Sequence, residues 1–185
     1  MLLRTLIGSR ILIVGLAGSE SWAVPLAAQD SLPPAQAIDS SWLSYDRAAK
    51  TVPFRLVAGL TGLNGALNFN GFDDGTLVLI VPVGSKVVMD FFNHDGMLPH
   101  SAEVIPAELP VPAAAVTPAI PRAYTDRLEE GLPPLAKDGM IFTATPAGDY
   151  FIFCGVPGHG RSGMYIRLKV SADVKVPILQ QVPKP

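Results

Sequence analysis

Apolar residues in this chain come in short runs, several of which alternate with polar positions at a period of two. Eight runs read as strands: Trp42 to Tyr45, Val52 to Ala58, Thr76 to Val81, Lys86 to Phe92, Ser101 to Ile105, Met140 to Ala144, Asp149 to Cys154 and Met164 to Val170. Turn residues part them at Asp73-Asp74-Gly75, Pro82-Val83-Gly84, His94-Asp95-Gly96 and Pro146-Ala147-Gly148. Tyr150, Ile152 and Cys154 fall on one face of their strand, and Phe151 and Phe153 on the other, so that strand is expected to be central and covered on both sides. In the last run Arg167 and Lys169 alternate with Ile166, Leu168 and Val170, the pattern of a half-exposed strand. Strands of this number and spacing predict an all-β fold, a Greek-key sandwich or barrel.

Two stretches fall outside that pattern. Pro106 to Asp138 is rich in Pro and Ala, with Leu128-Glu129-Glu130 its one plausible helical fragment. A connection this long is expected to be a functional or covering excursion, packed over one end or side of the sandwich. At the N-terminus, Arg4 and Arg10 precede a short apolar core (Ile11 to Ala17) and small residues at Ser21, Ala23, Ala27 and Ala28, the order of an export signal. Ser19-Glu20-Ser21 cuts the apolar run short of the about 20 residues a membrane span needs, which favours cleavage over a retained anchor. The expected organisation is a signal peptide or N-terminal anchor over 1–28, a linker over 29–41 and one β domain over 42–185. The protein is thus expected to be exported, to the periplasm or cell envelope.

Composition narrows the chemistry. The 185 residues carry 14 basic and 16 acidic groups, a net charge of −2 that argues against a nucleic-acid partner. Removing residues 1–28 would leave 12 basic and 15 acidic groups, a mildly acidic domain. A single Cys excludes an internal disulfide framework, CxxC redox chemistry and a cysteine-built zinc finger, and three His allow one small metal site.

That Cys and two of the His are specifically placed. Cys154, His159 and Met164 stand at spacing C-x4-H-x4-M, with Gly155, Gly158, Gly160 and Gly163 between them to let the backbone turn tightly. Leu98-Pro99-His100-Ser101 brings a second imidazole to the start of another strand, while His94 lies in a polar turn beside Asp95 and is expected to be exposed and no ligand. Taken singly, the Cys and the Met read as core residues. Together, two imidazoles, a thiolate and a thioether are the ligands of a blue-copper electron-transfer centre. Thiolate holds Cu(I) and imidazole suits both oxidation states, so a site fixed by strand ends needs little rearrangement when an electron moves.

These stretches, with Phe69-Asn70-Gly71, the Val81-Pro82-Val83-Gly84 turn and Asn93, resemble a cupredoxin of the sulfocyanin family, a rusticyanin-like type 1 blue copper protein, over about residues 42–170. The resemblance implies His100, Cys154 and His159 as equatorial ligands of one copper ion and Met164 as its axial ligand. It also implies a Greek-key fold and one-electron transfer in a respiratory or envelope chain. Ser101 matches a position linked to hydrogen bonding near the cysteine sulfur, and membrane attachment through the N-terminus is common in this family.

From these readings the protein is expected to be an electron carrier and not an enzyme. Its redox partner, a cytochrome or an oxidase, is expected to dock at an apolar patch of Val156, Pro157, Gly158 and Gly160 around His159. Copper enzymes need further imidazole sites, and only His94 is left over. A copper carrier or storage protein is the alternative; it would favour exposed Met and His clusters, and Met89, Met97 and Met140 show no such clustering in the sequence. A metal-free sandwich, or zinc on the same ligands, also stays open.

Overall fold

Alternation at a period of two governs both sheets of the computed structural model, which describes residues 37–184. The readings on 1–28 and on most of the linker therefore lie outside the described residues. Among those described, no helix is long and apolar enough to cross a membrane. The strands are β1 (Thr51–Ala58), β2 (Leu77–Pro82), β3 (Lys86–Asn93), β4 (Glu103–Pro106), β5 (Lys137–Thr143), β6 (Gly148–Phe153), β7 (Tyr165–Ser171) and β8 (Ile178–Gln181). They form a three-stranded sheet, β1-β3-β5, and a five-stranded sheet, β4-β6-β7-β2-β8. The all-β sandwich expected from the pattern is what the chain forms.

The core lies between the sheets. Val52, Phe54, Leu56 and Ala58 of β1 point inward, as do Val87, Met89 and Phe91 of β3 and Met140 and Phe142 of β5. From the other sheet Leu77, Leu79 and Val81 meet Ile152, Ile166 and Leu168. Pro53 points outward on β1, which pairs along its length with β3 alone, so its missing N–H costs the sheet little. The Pro82-Val83-Gly84 turn does not close a hairpin, because β2 and β3 belong to opposite sheets.

β6 is central, between β4 and β7, and buried on both faces as expected. Its outer face joins a second cluster of Ile105, Val111, Phe151, Phe153 and Tyr165, in which Val111 comes from the excursion. That excursion, residues 107–136, then runs along the free edge of β4. Val104 N–H donates to Ala123 O at 2.9 Å, Thr125 N–H to Ala102 O at 2.8 Å and Ala119 N–H to Val104 O at 2.8 Å. An otherwise open strand edge is thereby covered.

Three expectations need correcting. Trp42 to Tyr45 is not a strand: Asp39 caps a 3-10 turn over Ser40–Trp42, its side chain accepting the Ser41 N–H at 2.8 Å. Trp42 is buried against Phe72, edge to face, and only single bridges, Leu43 to Phe54 and Asp46 to Thr51, link the segment to β1. Leu128-Glu129-Glu130 is a turn, closed by Gly131 N–H donating to Arg127 O. Finally, Met89 and Met140 do meet, as directly paired residues of β3 and β5, but both are core residues. Among the described methionines, Met97 alone is exposed, at 86%.

Candidate metal centre

The ligand loop starts where β6 ends. Cys154 keeps the inward direction of Ile152, and its N–H donates to Met164 O at 3.1 Å, closing the loop at its base. Within it, His159 N–H donates to Val156 O and Met164 N–H to His159 O, each at 3.1 Å. Gly158 and Gly163 take φ values of +86° and +94°, which ordinary side chains resist. At Gly163 a Cβ would also come 2.8 Å from the Asp74 carboxylate.

His100 arrives from the other side. It precedes β4 and is held by a bridge to the excursion, His100 N–H donating to Leu132 O at 3.1 Å and Leu132 N–H to His100 O at 2.8 Å. Its ring Nε2 lies 3.1 Å from Asp95 Oδ2, while Nδ1 is buried without a partner. Asp95 is fixed in turn: Oδ1 accepts the Met97 and Leu98 N–H groups at 2.8 and 3.1 Å. Asn93 Oδ1 accepts the Asp95 N–H, and Asn93 Nδ2 donates to Leu98 O, Leu132 O and Pro133 O. A carboxylate that takes one ring nitrogen sets the tautomer and leaves the other as a lone-pair donor.

Nitrogen atoms of His100 and His159 and the Cys154 sulfur all lie within 4.8 Å of one another. Cys154 Sγ is 3.6 Å from His159 Nδ1, and the two imidazole centroids are 5.1 Å apart. His100 and Cys154 are fully buried and His159 half-buried. Met164 is fully buried in the same loop, tied by its backbone to both Cys154 and His159. His94 is exposed, with its ring edge-on to Phe92 and away from this group.

Burial sets the protonation of the donors. It lowers His100, against the pull of Asp95, and brings His159 down to about 4, with repulsion from His100 adding to it. It pushes the Cys154 thiol up to about 11, although the Ser101 and Val156 amides favour the thiolate. Burial would also raise Asp95, but the Met97 amide, the His100 ring and the Leu98 amide bring it below its ordinary value. Two neutral imidazoles and a thiol that ionises only beside a cation suit a metal, whose binding would release the thiol proton.

Ser101 does stand beside the cysteine sulfur, as expected, and it also ties the ligand loop to the excursion. Its N–H reaches Cys154 Sγ at 3.5 Å, and its hydroxyl donates to Leu128 O at 2.7 Å and accepts the Gly155 N–H at 3.1 Å. With Oγ also 3.9 Å from the sulfur, the serine clamps both ligand segments to the excursion and meets the thiol through its amide and its hydroxyl. The excursion adds two more ties, Gly158 N–H to Ala113 O at 2.7 Å and Ala115 N–H to Gly155 O at 2.9 Å. Val156, expected on a docking patch, is buried in the core, and Gly160 is buried too; only Pro157 and Gly158 of that patch are exposed. Asp95 escaped the sequence reading because Asn-His-Asp-Gly reads as a turn, which it also is. Its position five residues before a ligand His was the available signal.

An all-β sandwich with two imidazoles and one thiol gathered at strand ends defines a cupredoxin, and copper is the cofactor this donor set fits. Comparison with known proteins specifies it further: the sulfocyanin (SoxE) domain matches residues 39–180, and the chain belongs to that family. It is 31% identical over 140 residues to the sulfocyanin of Sulfolobus acidocaldarius, covering 72% of this chain and 70% of that protein. Rusticyanin of Acidithiobacillus ferrooxidans is 31% identical over 108 residues, 56% of this chain and 54% of its own length. A solved rusticyanin from Thiobacillus ferrooxidans aligns with 26% identity, a TM-score of 0.46 and coverage of 71% and 88%.

Proposed function

We propose that the protein is a one-electron carrier that works outside the cytoplasm, holding one type 1 copper ion on His100, Cys154 and His159 with Met164 as a weak axial ligand. The convergence of the three donor atoms within 4.8 Å carries this reading. Bound there, copper supplies a one-electron Cu(II)/Cu(I) couple. The chain's own part is to keep the donors still. Asp95 and Asn93 hold the His100 ring, Ser101 and the excursion pin the Cys154 loop, and two buried clusters exclude water. A site locked in this way reorganises little on a change of charge.

His159 alone of the three is partly open to solvent, so a redox partner would approach its ring edge. Pro157 and Gly158 flank it in the loop, and Met97 and Leu98 on the His100 loop offer further exposed apolar surface. A small apolar contact of this kind suits brief encounters. Copper added to the purified protein should produce an intense thiolate-to-copper visible band that bleaches reversibly on reduction. Cys154→Ser should abolish the band, and a wild-type protein that binds copper without colour would refute the proposal.

A further inference from the structure

One buried acid has no part in the arrangement above. Glu103 opens β4 and is 0% exposed. Val104 beside it faces the main core and Ile105 the outer cluster, so alternation puts Glu103 on the outer face, under the excursion. Oε1 accepts the Val116 N–H at 3.1 Å, whereas Oε2 is buried without a partner. Among the described residues no ion pair reaches it. The carboxyl lies against Gly155, where a Cβ would come 3.1 Å from Oε1, so it sits directly behind the residue that follows Cys154.

Resting on the electron-carrier reading, we propose that Glu103 is a redox-linked proton acceptor, which gains a proton as the metal site gains an electron and releases it when the electron leaves. In the reductive direction a one-electron donor protein supplies the electron and water supplies the proton. An O–H bond forms at Oε2, and no other covalent bond of the chain changes. The reverse step breaks that bond and returns the proton to solvent.

The physics follows from the surroundings. A carboxylate with one amide donor and no counter-cation is poorly solvated, while the neutral acid costs much less. Burial accordingly brings Glu103 up to about 7, only partly opposed by the Val116 amide, so a modest change in nearby charge moves its protonation at ordinary pH. The elements packed on it bring few rivals. Val116 and Ala115 of the excursion, Phe153 of β6 and Gly155 carry no titratable side chain. The titratable neighbours are Tyr124, bridged to Glu103 through the backbone, and Cys154, whose thiol feels the Glu103 charge. That electrostatic link to a ligand is the coupling the proposal needs. Val116, itself exposed, places solvent just outside the excursion, so the proton has a short way to travel.

The test is the midpoint potential of the copper-loaded protein from pH 5 to 9, for wild type and for Glu103→Gln, which keeps an acceptor for Val116 and mimics the neutral acid. In wild type the potential should fall as pH rises through neutrality, with a slope approaching about 59 mV per unit, the one-electron equivalent of tenfold. In E103Q it should be flat and close to the wild-type acid plateau. The reduced-minus-oxidised infrared spectrum of wild type should gain a protonated-carboxyl band that shifts with carbon-13 glutamate, and this decides the matter even if E103Q fails to fold. A flat wild-type profile, a slope that survives in E103Q, or no carboxyl band overturns the proposal. If those failures come with an intact blue band and a reversible couple, the electron-carrier reading stands; a colourless copper protein overturns both.

Discussion

A single added methyl group should test how tightly the ligand loop is seated. Gly160 follows His159, and an ideal Cβ there would lie 1.8 Å from Phe153 Cε2, 2.4 Å from Cδ2 and 2.8 Å from Cζ. Carbon atoms in contact sit about 3.5–4.0 Å apart, so Gly160→Ala demands a shift of roughly 1.7 Å. Phe153 has little room to yield, being fully buried among Ile105, Val111, Phe151 and Tyr165. The loop must move instead, and it takes His159 with it, spoiling the 3.6 Å approach of Nδ1 to Cys154 Sγ. Overpacking of this kind costs about 1–3 kcal/mol, and the absence of slack puts G160A at or above the upper end. Urea unfolding of the metal-free protein measures the loss, and the visible band after copper addition reports the ligand geometry. Gly62→Ala is the control: nothing lies within 4 Å of its Cβ and its φ is an ordinary −70°, so it should stay within about 0.5 kcal/mol of wild type. Phe153→Leu combined with G160A should lose less than the sum of the two single changes, because the smaller side chain vacates the contested space. A G160A protein with wild-type stability and an unaltered band would refute the reasoning.

Three further outcomes are expected. Asn93→Ala removes the side-chain partner of Leu98 O and of the Asp95 N–H and one of the two donors to Leu132 O and to Pro133 O, so it should cost about 3 kcal/mol in urea unfolding and speed copper loss to a chelator; unchanged copper retention would contradict its hold on His100. Met164→Leu should leave a coloured centre with a raised potential, and an unmoved potential would remove Met164 from the axial position. Glu103 should make the metal-free fold pH-sensitive. Its folded pKa of about 7 lies above the ordinary 4.5, so between those values the folded chain keeps a proton the unfolded chain has lost. Stability should therefore fall by roughly 3 kcal/mol as pH rises from 4 to 8, relative to E103Q, and parallel profiles for the two proteins would rule this out.

The strands that bury one clean face were readable from the chain, because alternation at a period of two is enforced by the pleat itself. β8 was not. Ile178 to Gln181 is an edge strand lying mostly in solvent, with Leu179 alone packed on the core, so its composition carries little hydrophobic signal. Trp42 to Tyr45 misled for the converse reason: Trp42 is apolar because it caps the core from a 3-10 turn, and burial does not require pairing. Cys154 and His159 could be placed from their spacing and the glycines between them, since a short loop brings them together. His100 could be named as the second imidazole, but what holds it could not: Asn93 reaches residues up to 40 positions away, and that kind of contact leaves no local pattern. Glu103 and Val156 show the same limit, for an acid in a strand and a valine in a loop look exposed until the excursion is laid over them.

Pairing between distant stretches of chain also bears on how the molecule assembles. β1 lies parallel to β3, and β2 lies parallel to β7 from almost the other end of the domain. Parallel partners cannot zip up from a tight turn; each must wait for a long loop to close. Folding should accordingly be slow, in the range of milliseconds to seconds typical of such topologies, and the antiparallel bridge between His100 and Leu132 closes a further long loop of its own. Metal capture by the complete ligand set would then be a late event in the life of the chain, a marker that the fold has been completed.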